Sequence, residues 1–133
     1  MGAVMLPGWA SQVAAKIAKQ LKSIQKTEVN IMTKTTICVG LLDKDSKRQE
    51  VNTLDAYKVA ANIFAATTGG ATITEGTGVY THDSGEIVIE PTLVCVVYGS
   101  DIGTIEKAAA QLKVALNQEA VTIETVESNS RFF

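Results

Sequence analysis

GGATITEGTGVYTHDSGEIVIEPTLVCVVYG, residues 69–99, is the stretch on which the fold turns. Two runs of alternating, β-branched sequence, 71–81 and 86–98, flank His82-Asp83-Ser84-Gly85. Aspartate followed by Ser-Gly between such runs signals a hairpin, with Gly85 free to take the left-handed position. Pro91 falls inside the second run, where it would cost a central strand one ladder hydrogen bond. The conflict disappears if these two strands outlast their neighbours, so that Gly76 to Glu90 projects past the sheet as a two-stranded arm. Gly76 and Gly78 suit an arm that bends, or one whose backbone is approached closely by another chain or a flat ligand.

Outward from the hairpin the elements alternate. TTICVGLL (35–42) is a β-branched run of strand length, and NTLDAYKVAANIFAAT (52–67) sets Leu54, Tyr57, Ala61 and Phe64 on one helical stripe. Asn52 or Thr53 caps that helix and Gly69-Gly70 ends it. DIGTIEKAAAQLKVALN (101–117) places Ile102, Ile105, Ala109, Leu112 and Leu116 at steps of three and four behind a cap at Ser100 or Asp101. EAVTIETVE (119–127) alternates again and reads as the last strand. The order β-α-β-β-α-β predicts an α+β, ferredoxin-like domain: a four-stranded antiparallel sheet in the order 4-1-3-2, with both helices on one face.

Ahead of this body, GWASQVAAKIAKQLKSIQK (8–26) stacks Trp9, Val13, Ile17, Leu21 and Ile24 on one helical face, with the lysines displaced from it. The predicted division is therefore 1–31, an amphipathic helical extension, and 32–133, a single α+β ligand-binding and oligomerisation domain beginning at Met32. Such a helix can lie on an anionic membrane. Its few bulky residues favour packing on its own domain or on a symmetry-related copy, and a membrane partner is not expected.

At 133 residues the chain is one domain's worth, and with only 5% aromatic residues its core must be built from Val, Ile, Leu and Ala. The net charge of -2 conceals an asymmetry: residues 1–31 carry four lysines against Glu28, and residues 32–133 carry 8 basic against 13 acidic side chains. A body that acidic lacks the continuous basic surface that duplex nucleic acid requires. Cys38 and Cys95 sit in apolar runs without metal-site spacing and read as reduced, buried thiols. No export signal and no apolar run of membrane-spanning length is evident, so a cytoplasmic location is expected.

The glycines between 69 and 78 follow a helix and lie within a strand, which is the wrong setting for a phosphate loop. His82 is the only histidine, so no histidine metal cluster and no metal site is expected. Tyr80 and His82, at i and i+2, form either a small platform for a purine or plain cross-strand packing. The loop Asp43-Lys44-Asp45-Ser46-Lys47-Arg48-Gln49-Glu50 holds one of two arginines, the side chain suited to forked phosphate recognition. The other, Arg131, precedes Phe132-Phe133. Glu75, Glu86 and Glu90 are available carboxylates, but no spacing singles out an acid/base couple, and no hydrolytic triad is present. The expectation is a chain that is not an enzyme and uses no cofactor, its ligands held where subunits meet.

Over residues 33–133 the sequence resembles the phage anti-defence proteins that counter Thoeris immunity, the first-described anti-Thoeris sponge family. The matching features are the strand entering Leu42-Asp43-Lys44-Asp45, the Gly78-Val79-Tyr80 strand before the hairpin, the Glu90 strand, and Asn117-Gln118-Glu119 leading into the last strand. The resemblance implies a non-catalytic homo-oligomer that sequesters a cyclic ADP-ribose isomer, some members also holding cyclic oligonucleotides. Chemistry then nominates Arg48 and Arg131 for the diphosphate, Tyr80 and Phe132 for the base, and His82, Lys44 and Asn117 as further polar contacts. A PII-like nucleotide-sensing module and a purely structural oligomer are the alternatives.

Overall fold

The computed structural model describes residues 7–27 and 30–133, with side chains for 7–21 and 30–133. Seven elements follow in order: α1 Gly8–Thr27, β1 Ile31–Gly40, α2 Thr53–Ala66, β2 Thr72–Thr81, β3 Ile87–Tyr98, α3 Ile102–Ala115 and β4 Thr122–Asn129. They fall into two compact units, one of Met32–Ser128 and one of the chain up to Ile31 together with Asn129–Phe133. Ile24 of the expected apolar stripe, and Lys22, Lys26 and Glu28 of the charge pattern, lie outside the side chains described.

The sheet is antiparallel with strand order β2-β3-β1-β4, the expected 4-1-3-2 read from its other edge. Odd-numbered side chains of the two central strands, Ile37, Val39, Leu93, Cys95 and Val97, point to one face. They meet Ala56, Ala60 and Phe64 of α2 and Ile105, Ala108 and Leu112 of α3 in one cluster, so both helices lie on that face. Alanine at 56, 60 and 108 brings the helix backbones close to the sheet and explains how a core with one buried aromatic ring, Phe64, closes.

The predicted α2 stripe is corrected in detail. Leu54 is 65% exposed and Ala61 is exposed; the buried line is Ala56, Ala60 and Phe64, with Tyr57 and Ile63 at its edges. Nearly every position of α2 is apolar or small, so two stripes compete, and the sheet selects the one that lets the helix approach most closely. In α3 the predicted Ile105, Ala109, Leu112 and Leu116 are buried and Ile102 is exposed. Asn52 caps α2 by accepting from the Asp55 N–H at 2.9 Å, and Asp101 caps α3 by accepting from the Thr104 N–H at 2.8 Å.

The hairpin forms as read. The His82 N–H donates to the Glu86 carbonyl and the Gly85 N–H to the His82 carbonyl, each at 2.8 Å, with Gly85 at φ +87°. β2 pairs with β3 from Thr72↔Val96 to Thr81↔Ile87, whereas β1 pairs with β3 only from Lys34↔Tyr98 to Gly40↔Thr92. The stretch of β3 before Pro91 is thus held by β2 alone, which is the expected arm. The Pro91 carbonyl accepts from the Leu41 N–H at 3.0 Å. A strand residue's N and O share one side, so the missing N–H faces β1 at the point where β1 ends, and the β2 ladder is untouched.

The register of the arm is unbroken, so its glycines mark no bulge. A Cβ on Gly78 would come within 2.6 Å of Thr92 Oγ1. The close approach expected there comes from within the chain: Gly78 leaves room for the Thr92 hydroxyl.

Candidate functional site

The arm and the loop after β1 diverge, and the gap between them is a cleft of about 780 Å³. One wall is the arm, with Tyr80, His82 and residues 86–90; the opposite wall is the loop 42–47 and the segment 118–122 leading into β4. Ile87 and Ile89 share the side of Pro91, so their N–H and C=O groups face the cleft beyond the end of β1. That is a short run of strand edge, able to pair with the polar atoms of a ligand's main-chain-like portion.

Glu90 sits where arm and sheet meet. Its carboxylate accepts from the Leu42 N–H at 3.0 Å and lies over the Cα of Gly40, where any Cβ would collide with it. Glycine on β1 therefore creates the seat of the carboxylate. Above it the Tyr80 and His82 rings meet edge to face, 5.3 Å between centroids and 81° between planes. Burial, then the negative charges of Glu90 and Glu119, push the Tyr80 phenol above its ordinary pKa, which places all three groups in one electrostatic neighbourhood.

The opposing loop is cross-braced. Asp43 accepts from the N–H groups of Asp45 and Ser46 and from Asn117 Nδ2, which also donates to Asp45. The N–H of Ser46 first, then Asn117, hold the Asp43 carboxyl below the usual carboxylate range. Gln118, nearly buried, donates from Nε2 to the carbonyls of Leu42 and Leu116, tying the loop to the end of α3. Asn117 at φ 48° and Lys47 at φ 62° occupy the left-handed region, the first a natural residue for it.

Of the residues nominated from sequence, Lys44, Tyr80 and His82 line the cleft. Asn117 braces its wall and lines a separate cavity of about 190 Å³. Arg48 is outside the cleft lining, 81% exposed and 3.5 Å from Glu50. Arg131 and Phe132 belong to the other unit, where the Arg131 guanidinium stands 5.6 Å from the centre of the Phe133 ring. Glu90, Glu119, Lys47 and Gln118 were not nominated. In the sequence Glu90 is one of three available carboxylates; what singles it out, glycines on the strands to either side of it, exists only once the register is known.

The charge of the cleft is acidic: Asp43, Glu86, Glu90 and Glu119 against Lys44 and Lys47, with His82 at the rim. Among the described residues no group of three or more His, Cys, Asp or Glu could hold a metal ion, and no helix is long and apolar enough to cross a membrane.

An α+β body with the ferredoxin-like strand order and a cleft at the root of its hairpin arm is the class these features define. Solved structures share the fold. A phage SAM lyase in complex with S-methyl-5'-thioadenosine matches with TM-score 0.59 at 23% identity, covering 74% of this chain and 82% of that one. A phage SAM lyase in its apo state matches with TM-score 0.55 at 18% identity, over 76% of this chain and 91% of that one. CutA from Synechococcus elongatus matches with TM-score 0.49 at 12% identity, over 74% and 80%. No family model and no curated protein matches the chain. At these identities the likeness establishes the fold. It also corrects the expectation of a chain that is not an enzyme, since both SAM lyase structures are of an enzyme built on this fold. The want of a triad or metal motif therefore does not exclude catalysis on this fold.

Proposed function

We propose that the chain binds S-adenosylmethionine in the cleft between the arm and the 42–47 loop and cleaves it to S-methyl-5'-thioadenosine. The observation that carries this is the charge of the cleft around Glu90. A sulfonium is a cation on a largely apolar frame, and four carboxylates against two lysines favour it. The Tyr80 and His82 ring pair offers a face to adenine, and the open edge at Ile87 and Ile89 offers donors and acceptors to the amino-acid end.

Formation of methylthioadenosine breaks the bond between sulfur and the γ-carbon of the methionine side, and the bonding pair goes to sulfur, which becomes neutral. A lyase adds no water, so the γ-carbon is taken by the substrate's own carboxylate oxygen, closing a lactone, or the fragment gives up a neighbouring proton and becomes an alkene. The first course needs no protein base; in the second, Glu90 is the acceptor within the cleft. Either way the product has lost the positive charge that the carboxylates hold, which favours its release.

A cyclic ADP-ribose isomer, the ligand implied by the sequence resemblance, would set a diphosphate against Asp43, Glu86, Glu90 and Glu119. Lys44 and Lys47 only half offset them, and Arg48 stands outside.

The test is incubation of the purified chain with S-adenosylmethionine and chromatography of the products, beside the Glu90→Gln variant. Methylthioadenosine from the parent, and at least about tenfold less from Glu90→Gln, is the expected result. Intact S-adenosylmethionine, together with tighter calorimetric binding of a cyclic ADP-ribose isomer, would overturn it.

A further inference from the structure

α1 presents an apolar face that its own unit does not bury: Trp9 is 71% exposed, and Val13, Ile17 and Leu21 are about half exposed. At 100° per residue, the steps of four between these positions spread them over an arc of about 120°. Lys19 lies on the far side of the helix, and Lys16 borders the apolar arc next to Trp9. In the sequence Ile24 continues the apolar face, Lys22 and Lys26 continue the basic one, and Gly8–Thr27 contains no Asp or Glu.

Three features decide what such a face takes. Its breadth and its repeat of four are not those of a coiled-coil pair, which calls for a narrow seam recurring every 3.5 residues. Its charge is of one sign, complementary to an anionic surface. The helix has an apolar side ending in tryptophan but low hydrophobicity overall, the character of a helix that lies in a membrane interface and does not cross it.

Against the expectation from sequence that this helix packs on its own domain or on a copy, we infer that α1 is a reversible anchor for the anionic face of a lipid bilayer, lying along it with Trp9, Val13, Ile17 and Leu21 turned into the headgroup and acyl boundary. The acidic stretch 32–133, with 8 basic against 13 acidic side chains, is repelled by the same surface, so attachment runs through the helix alone. This inference is independent of the ligand assigned to the cleft.

Trp9 is the only tryptophan, so the full chain carries its own reporter. Titration with vesicles of phosphatidylcholine containing 30% phosphatidylserine is expected to shift its emission to the blue and to float the protein with the lipid. Vesicles of phosphatidylcholine alone should do neither, and 0.5 M salt should reverse the effect. Each of Lys16→Gln and Lys19→Gln should weaken binding about fivefold, and both together ~25-fold. Ile17→Asp should abolish the shift while leaving the melting of the Met32–Ser128 body in place. No shift and no flotation with the anionic vesicles would overturn the inference. So would a blue shift that appears without lipid as protein concentration rises, because the face would then be covered by a second copy.

Discussion

At the scale of single residues, two glycines make room for larger neighbours. Gly40 clears the space that the Glu90 carboxylate fills, and Gly78 clears the space for Thr92. Gly40→Ala is expected to push Glu90 off the Leu42 N–H, because the long side chain yields more readily than the strand. Its mark is a loss of ligand affinity comparable to that of Glu90→Gln, with little change in melting temperature, measured by calorimetry and thermal denaturation. Gly78→Ala should instead destabilise by about 1–2 kcal/mol through overpacking. Adding Thr92→Ala should restore part of that loss, a coupling that a double-mutant cycle of chemical denaturation reads directly. Cys95 makes a third point. Burial, with Cys38 nearby, pushes its thiol from 9.0 up to about 12. Between these values the unfolded chain has released a proton that the folded one keeps, so stability falls as pH rises from about 9, by up to about 1.4 kcal/mol per pH unit. Cys95→Ala should flatten that alkaline limb of the denaturation midpoint.

At the scale of elements, what was legible in the sequence was what local chemistry determines. The caps at Asn52 and Asp101, the turn at Gly85 and the end of α2 near Gly69 follow from residues a few positions apart, and all four are observed. The arm followed from a contradiction, a proline in a strand otherwise central. What was not legible depends on distance along the chain. Glu90 meets Leu42 across 48 residues and Asn117 meets Asp43 across 74, contacts that no periodicity encodes. The arginines stood out by rarity, and rarity does not place a side chain. The braced 43–48 loop carries a pH consequence. Asp43 titrates below its ordinary 3.8, so the stabilisation from its charged form is full above that value and is lost as pH falls through the depressed one. The thermal midpoint should therefore drop below about pH 4 in the parent, and less so in Asp43→Asn, when followed by circular dichroism.

At the scale of the whole molecule, the chain joins a basic helix to an acidic body. A version beginning at Met32 is expected to unfold cooperatively and to keep its affinity for S-adenosylmethionine within about twofold, because every residue lining the cleft lies between 42 and 122. Isothermal calorimetry on the shortened chain checks this, and affinity lost together with cooperativity would mean that the body needs its extension.

Pro91 has one further consequence. The backbone edge left bare at Ile87 and Ile89 is the kind of surface along which a stray strand from another molecule adheres and grows. Any intruder starting there meets, two residues on, a ring nitrogen with nothing to donate, and beyond it a position already held by β1. The proline is a stop at the end of a short track: small guests can enter, and a zipper of foreign chain cannot run on into the sheet.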